Sequence, residues 1–262
     1  MIVDAHVHLG DGLFGQRYSR HDLLAAMDEA GIDRAVVSPL KPRGYHFGAA
    51  NDLVAEAVRS SNGRLLAFGR VDPWQGEAAV DEAERCFTQL GFKGLLLHPW
   101  EELFPVNDPI VFPLIDLTAR HGCPIMLAGG YPVVSHPSRI ADLAGRFPSV
   151  TFMVTSGGQI NISGGMLAQA EAMLRSSPNV LMETSGIYRE DFIEDMAAAL
   201  GPERLIFGSG APTYDPRHEL DRIRRAHLPD AARVLIGGEN LRMLLSWEES
   251  SVRRSRTNRG HD

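Results

Sequence analysis

FKGLLLHP, residues 92–99, is the stretch that decides how this chain folds. Its three consecutive leucines leave no polar alternation, so a strand built from them buries both faces. The run ends in His98-Pro99. After a loop comes FPLIDLTARHG (112–122), apolar at helical spacing and stopped by Gly122. A strand buried on both faces and followed by a helix is one unit of a parallel sheet. The same unit recurs in both directions. IVDAH precedes SRHDLLAAMDEAG, with Ser19 placed as an N-cap and Gly31 as a stop. DRAVVSPL precedes AANDLVAEAVRSSNG, and RLLAFGRVDP precedes EAAVDEAERCFTQLG. PIMLAGG, VTFMVTSGG, VLMETSG and RLIFGSG continue the series, each with a helical partner; the last runs on through NLRMLLSW. Eight units in 262 residues predict an α/β protein, a closed (β/α)8 TIM barrel. A doubly wound open sheet is the alternative. The even spacing and the lack of a Gly-x-Gly-x-x-Gly after the first strand count against it.

No linker splits the chain, which reads as a single barrel domain over 1–249. The polar, basic segment 250–262 reads as a frayed tail. A formal charge of −7 argues against a nucleic-acid partner. No apolar run reaches membrane-spanning length, and the N-terminus lacks the basic region of a signal peptide. Cys86 and Cys123 read as reduced residues of a cytoplasmic protein. The partner implied is a small-molecule substrate; a homo-oligomer stays open.

In such a barrel the chemistry sits where the strands end. The first strand ends in His6-Val7-His8. Side chains two apart on a strand share a face, about 7 Å apart, so both imidazoles can converge on one ion in the mouth.

DAHVHLG, GFKGLLLHP, TSGG, METSG, FGSGAP and IGGENLRMLL together resemble the amidohydrolase-related family of the amidohydrolase superfamily. Its members are barrel hydrolases and decarboxylases similar to aminocarboxymuconate-semialdehyde decarboxylase. The likeness runs over roughly residues 1–247. It implies one divalent metal, often zinc, held by the two strand-one histidines, histidines ending strands five and six, and an aspartate ending strand eight. His6 and His8 match that pattern. Ala128, Thr155 and Gly210 stand at the other three positions. Only the hydroxyl of Thr155 is left there as a donor, and it is a poor zinc ligand. The resemblance also gives the strand-eight aspartate the part of the base that activates water. The expectation is therefore a degraded metal site, with no tightly bound cofactor.

Other polar residues stand at strand ends. Glu183 lies in an otherwise apolar strand and must be paired, with a histidine at the site or an arginine beneath the loops. With His6 and His8 it makes the expected catalytic set. Arg70, His98, Thr155 and Ser209 are expected to bind substrate, Arg70 by clamping a carboxylate. Arg70 has the alternative of an internal ion pair with Asp72 or another acid. Ser185 could bind a substrate oxygen, and TSGG (155–158) could offer backbone N–H groups to an anion. Lys93 is expected to pair with a buried acid such as Asp4. Asp215 is weighed as a stand-in for the missing acid, or as a plain turn residue. Trp74, Trp100, Tyr131 and Tyr188 fall in loops that would wall a pocket. Three functions follow: a metal-free hydrolase or lyase running amide or lactone opening, decarboxylation or related acid–base chemistry; a metal hydrolase with substitute ligands such as Glu183 or His98; and a non-catalytic ligand- or partner-binding barrel.

Overall fold

A computed structural model describes residues 1–160, 164–187 and 189–247. The tail expected over 250–262, and Tyr188, expected in a pocket-walling loop, lie outside the described residues. The barrel strands are β1 (Val3–Asp11), β3 (Arg34–Pro39), β4 (Leu65–Ala67) with β5 (Gly69–Arg70), β6 (Leu95–Leu97), β7 (Ile125–Leu127), β8 (Phe152–Val154), β9 (Val180–Glu183) and β10 (Leu205–Ile206). They pair in parallel in that order. β4 and β5 are one stave interrupted at Phe68, whose N–H bonds Val37 O at 3.0 Å. A two-residue strand β2 (Arg17–Tyr18) folds back antiparallel on β1. The ring closes between β10 and β1, where Ala5 N–H meets Phe207 O at 2.9 Å, Gly210 N–H meets His6 O at 2.8 Å and His8 N–H meets Ala211 O at 2.8 Å.

The helices are α1 (Arg20–Ala30), α2 (Gly48–Arg59), α3 (Glu77–Thr88), α4 (Phe112–Arg120), α5 (Pro137–Arg146), α6 (Gly164–Ser176), α7 (Glu190–Leu200), α8 (Pro216–Arg225), α9 (Asp230–Val234) and α10 (Asn240–Leu244). α1 starts and stops where its sequence says. Ser19 and Asp22 form a reciprocal capping box, and Gly31 turns left-handed at φ 74°.

Alternation along each strand separates two cores. Leu95 and Leu97 pack outward against helices; Leu96 points into the barrel. Ile125 and Leu127 against Met126, and Phe152 and Val154 against Met153, repeat this, as do Ala35 and Val37 against Val36. The inner core also takes Phe68 and Ile206, and is closed by Leu241, Leu245 and Trp247 at the C-terminal end of the described chain. One step of two beyond these inner residues lie Ser38, Arg70, His98, Ala128 and Thr155. Period-2 geometry makes them the next inward layer, at the mouth.

β1 departs from that rule. Val3 and Ala5 belong to the inner core, but Val7 and Leu9 belong to the outer one. The pairing register with β3 shifts between Asp4 and Val7. The shift moves the inward face from odd to even residues, which carries His6 and His8 into the mouth layer.

Candidate active site

The two imidazoles meet. His6 Nε2 and His8 Nε2 are 3.0 Å apart, with the rings edge to face. On its other side His6 Nδ1 faces Ser185 Oγ at 3.3 Å and Glu183 Oε2 at 3.4 Å. His8 Nδ1 faces Ser38 Oγ at 2.9 Å. Glu183 is fully buried and is held by Ser185 N–H at 2.6 Å, Ser185 O–H at 2.8 Å and Ser156 N–H at 3.1 Å. The carboxylate in the apolar strand is thus paired at the mouth, on the histidine side of the alternatives.

One set of hydrogens satisfies the whole chain. Ser38 O–H donates to His8 Nδ1, His8 Nε2–H donates to His6 Nε2, and His6 Nδ1–H donates toward Ser185 and Glu183. Adding one proton to His6 Nε2 reverses the outer half. His6 Nε2–H then donates to His8 Nε2, His8 Nδ1–H donates to Ser38 Oγ, and Ser38 O–H turns to Val7 O at 3.4 Å. His8 stays neutral in both arrangements. Its surroundings favour this: burial, then the charges of His6, Arg70 and His98, push it well below the usual histidine range. His98 is pushed down to about 3, by burial first and then by Arg70.

The remaining candidates are engaged within the protein. Arg70 does not present itself to solvent. It is 1% exposed, and its Nη2 is shared by Glu101 and by Glu102, the latter at 2.8 Å, while Nη1 bonds Pro39 O at 3.2 Å. The internal ion pair prevails, with acids from the loop after β6 in place of Asp72. Thr155 Oγ1 accepts Gly129 N–H at 3.1 Å, lacing β8 to the loop after β7. Ser209 is fully buried beneath the mouth; its N–H goes to Asp4 Oδ1 at 2.8 Å and its Oγ accepts Ala211 N–H. His98 Nδ1 accepts Glu101 N–H at 3.2 Å, which fixes its ring beside that loop. Lys93 is exposed and away from Asp4, whose Oδ1 instead accepts His6 N–H and Ser209 N–H. Asp215 caps α8 and pairs with Arg217 at 2.9 Å. TSGG does offer an N–H to an anion, from a left-handed turn at Ser156 and Gly157, but the anion is the chain's own Glu183.

Ser38, Lys41, Glu101, Glu102 and Tyr214 join the site without having been expected from the sequence. Ser38 could have been found by counting two residues on from inward Val36. Tyr214 had no such signal. Its ring lies where a side chain on Gly210 would project, with Cδ2 3.0 Å from that Cβ position and Ser185 Oγ 3.3 Å from it.

This donor set does not fit a resident catalytic metal. The His6–His8 nitrogens could grip one side of an ion, but catalytic zinc takes three protein ligands. Ala128 and Gly210 offer none, and Thr155 is engaged. No group of three His, Cys, Asp or Glu side chains suited to a metal occurs among the described residues.

Known proteins share this frame. The gamma-resorcylate decarboxylase of Rhizobium sp. (strain MTP-10005) is 22% identical over 284 residues, covering 86% of each chain. The dihydroxybenzoic acid decarboxylase of Polaromonas sp. JS666, solved with bound manganese and the inhibitor 2-nitroresorcinol, superposes with a TM-score of 0.77 at 17% identity, over 95% of this chain and 98% of that one. The 4-oxalomesaconate hydratase of Rhodopseudomonas palustris superposes with a TM-score of 0.68 at 17% identity, over 94% and 96%. The Amidohydrolase family profile matches residues 3–246, nearly the whole barrel, and the chain belongs to that family of enzymes.

Proposed function

We propose that the protein is a lyase of the amidohydrolase family that acts on a small carboxylic acid without a resident metal. The observation that carries this is the continuous chain Glu183–His6–His8–Ser38, which can hold a proton on His6 and reverse around it. The related decarboxylases and hydratase favour lyase chemistry over hydrolysis. In a decarboxylation the His6 Nε2 proton passes to the carbon that bears the carboxylate. The C–C bond to that carboxylate then breaks, CO2 leaves, and the electron pair of the broken bond restores the substrate's unsaturation. His6 returns neutral and is reprotonated from solvent. Glu183 faces the imidazole that carries the proton and compensates its charge. Ser38 and His8 supply the accommodating half of the chain.

The test is CO2 release from 2,6-dihydroxybenzoate and related hydroxybenzoic acids. His6→Ala, His8→Ala and Glu183→Gln should each lower turnover by about 10²-fold or more, the scale of a lost acid or base. Undiminished turnover in all three variants would move the chemistry elsewhere. No release from any acid by the parent would remove the decarboxylase reading.

A further inference from the structure

Beside the histidine pair lies a second charged cluster that the proton chain does not use. Lys41 Nζ is 3.3 Å from Glu102 Oε1, and Arg70 Nη2 bonds the same oxygen. Lys41 and Glu102 are 7% and 5% exposed. Both cations lie about 5.2 Å from the Phe47 ring centroid. Glu101 also bonds Arg70 Nη2, yet its side chain keeps 17% exposure, the most open of these charged groups. It stands in the turn after His98, next to Trp100, whose ring stacks on Tyr131 at 5.2 Å and 4°.

The charges balance only with Glu101 in place. Lys41 and Arg70 give two positive charges, and Glu101 and Glu102 give two negative. Glu102 is gripped by both cations and buried; removing it would strand them. Glu101 is gripped by one, and water is within its reach. With Glu101 swung out, the buried cluster carries one net positive charge at the mouth. Arg70 Nε, without a partner among the described residues, adds an unused donor to it. Glu101's departure would uncover the buried Nε–Nη2 side of Arg70, and a guanidinium edge so uncovered takes a carboxylate in bidentate fashion.

We propose that Arg70 is the carboxylate-binding group of the barrel mouth and that Glu101 is a built-in competitor, which a small organic carboxylate displaces. Affinity for the acid is then set by an exchange of one carboxylate for another, so the resting mouth binds anions weakly and releases product readily. This rests on the proposed function only for the ligand's role as substrate. Binding is measured without turnover, so the two readings fail separately.

The probe is benzoate, with benzamide as its neutral counterpart, titrated calorimetrically into the full chain. The fluorescence of Trp100, adjacent to Glu101, gives a second readout. Glu101→Gln keeps the shape of the side chain and removes its charge. It should bind benzoate at least tenfold more tightly than the parent and leave benzamide unchanged. Glu101→Ala should do the same. Equal benzoate affinity in parent and both variants would overturn the proposal. So would an equal gain for benzamide, which would mean that space and not charge had been released.

Discussion

Gly210, where the family resemblance implies an acid, has a left-handed backbone at φ 68°, and Tyr214 fills the room a side chain there would need. Gly210→Asp should therefore cost about 1–2 kcal/mol for the left-handed backbone alone. Thermal melting should show the loss, and adding Tyr214→Ala should recover part of it by clearing the slot. Asp4 gives a prediction in pH. Burial, opposed by its hydrogen bonds, raises its carboxyl from 3.8 to about 6. The folded state then holds a proton that the unfolded state has lost, so this residue's share of stability falls as pH rises from about 4 to about 6. Asp4→Asn has no proton to lose. Denaturant midpoints should shift in its favour relative to the parent across that window and stay parallel above it; parallel behaviour throughout would contradict the buried, half-satisfied carboxyl. That His6, His8 and Glu183 come together was legible, because all three stand at the ends of barrel strands. The acids that pair with Arg70, Glu101 and Glu102, were not legible, because they lie 31 and 32 residues away in a loop with no periodicity to place them.

Strand β1 shows how an element can hide its own rule. Simple alternation would put Val3, Ala5 and Val7 on one face, and the register shift overrides it between Asp4 and Val7. The Asp4 carboxylate holds the shift by accepting His6 N–H at 3.0 Å and, across the closure, Ser209 N–H at 2.8 Å. Asp4→Ala should leave two buried donors unpaired and cost about 2–4 kcal/mol in urea unfolding. Asp4→Asn keeps an acceptor oxygen and should cost much less. If the two substitutions cost the same, the carboxylate oxygen is not what pins the bulge. Nothing in DAHVH announces an irregular strand, because the irregularity is made by a partner some two hundred residues away. The helices were the opposite case. Ser19, Asp22 and Gly31 are local signals, and α1 obeys them.

The molecule divides stability from chemistry along the barrel axis. Trp247, 8% exposed, seals the inner core with Leu241 and Leu245 at the end away from the histidines. Trp247→Ala should cost about 3–5 kcal/mol and leave turnover per folded molecule unchanged. At the other end, dialysis against a chelator should alter neither melting temperature nor activity. Near-stoichiometric zinc or manganese surviving that dialysis would show ligands that the described residues do not provide. The inward layer Ser38, Arg70, His98, Ala128 and Thr155 draws one letter from each of five consecutive staves, and none of them belongs to the outer packing. Such a layer is a short word written on an unchanging page. Varying positions 98, 128 and 155 together, as a combinatorial library, should yield many spellings that melt close to the parent and differ in the small acids they hold, because the grammar of the fold is kept one layer below.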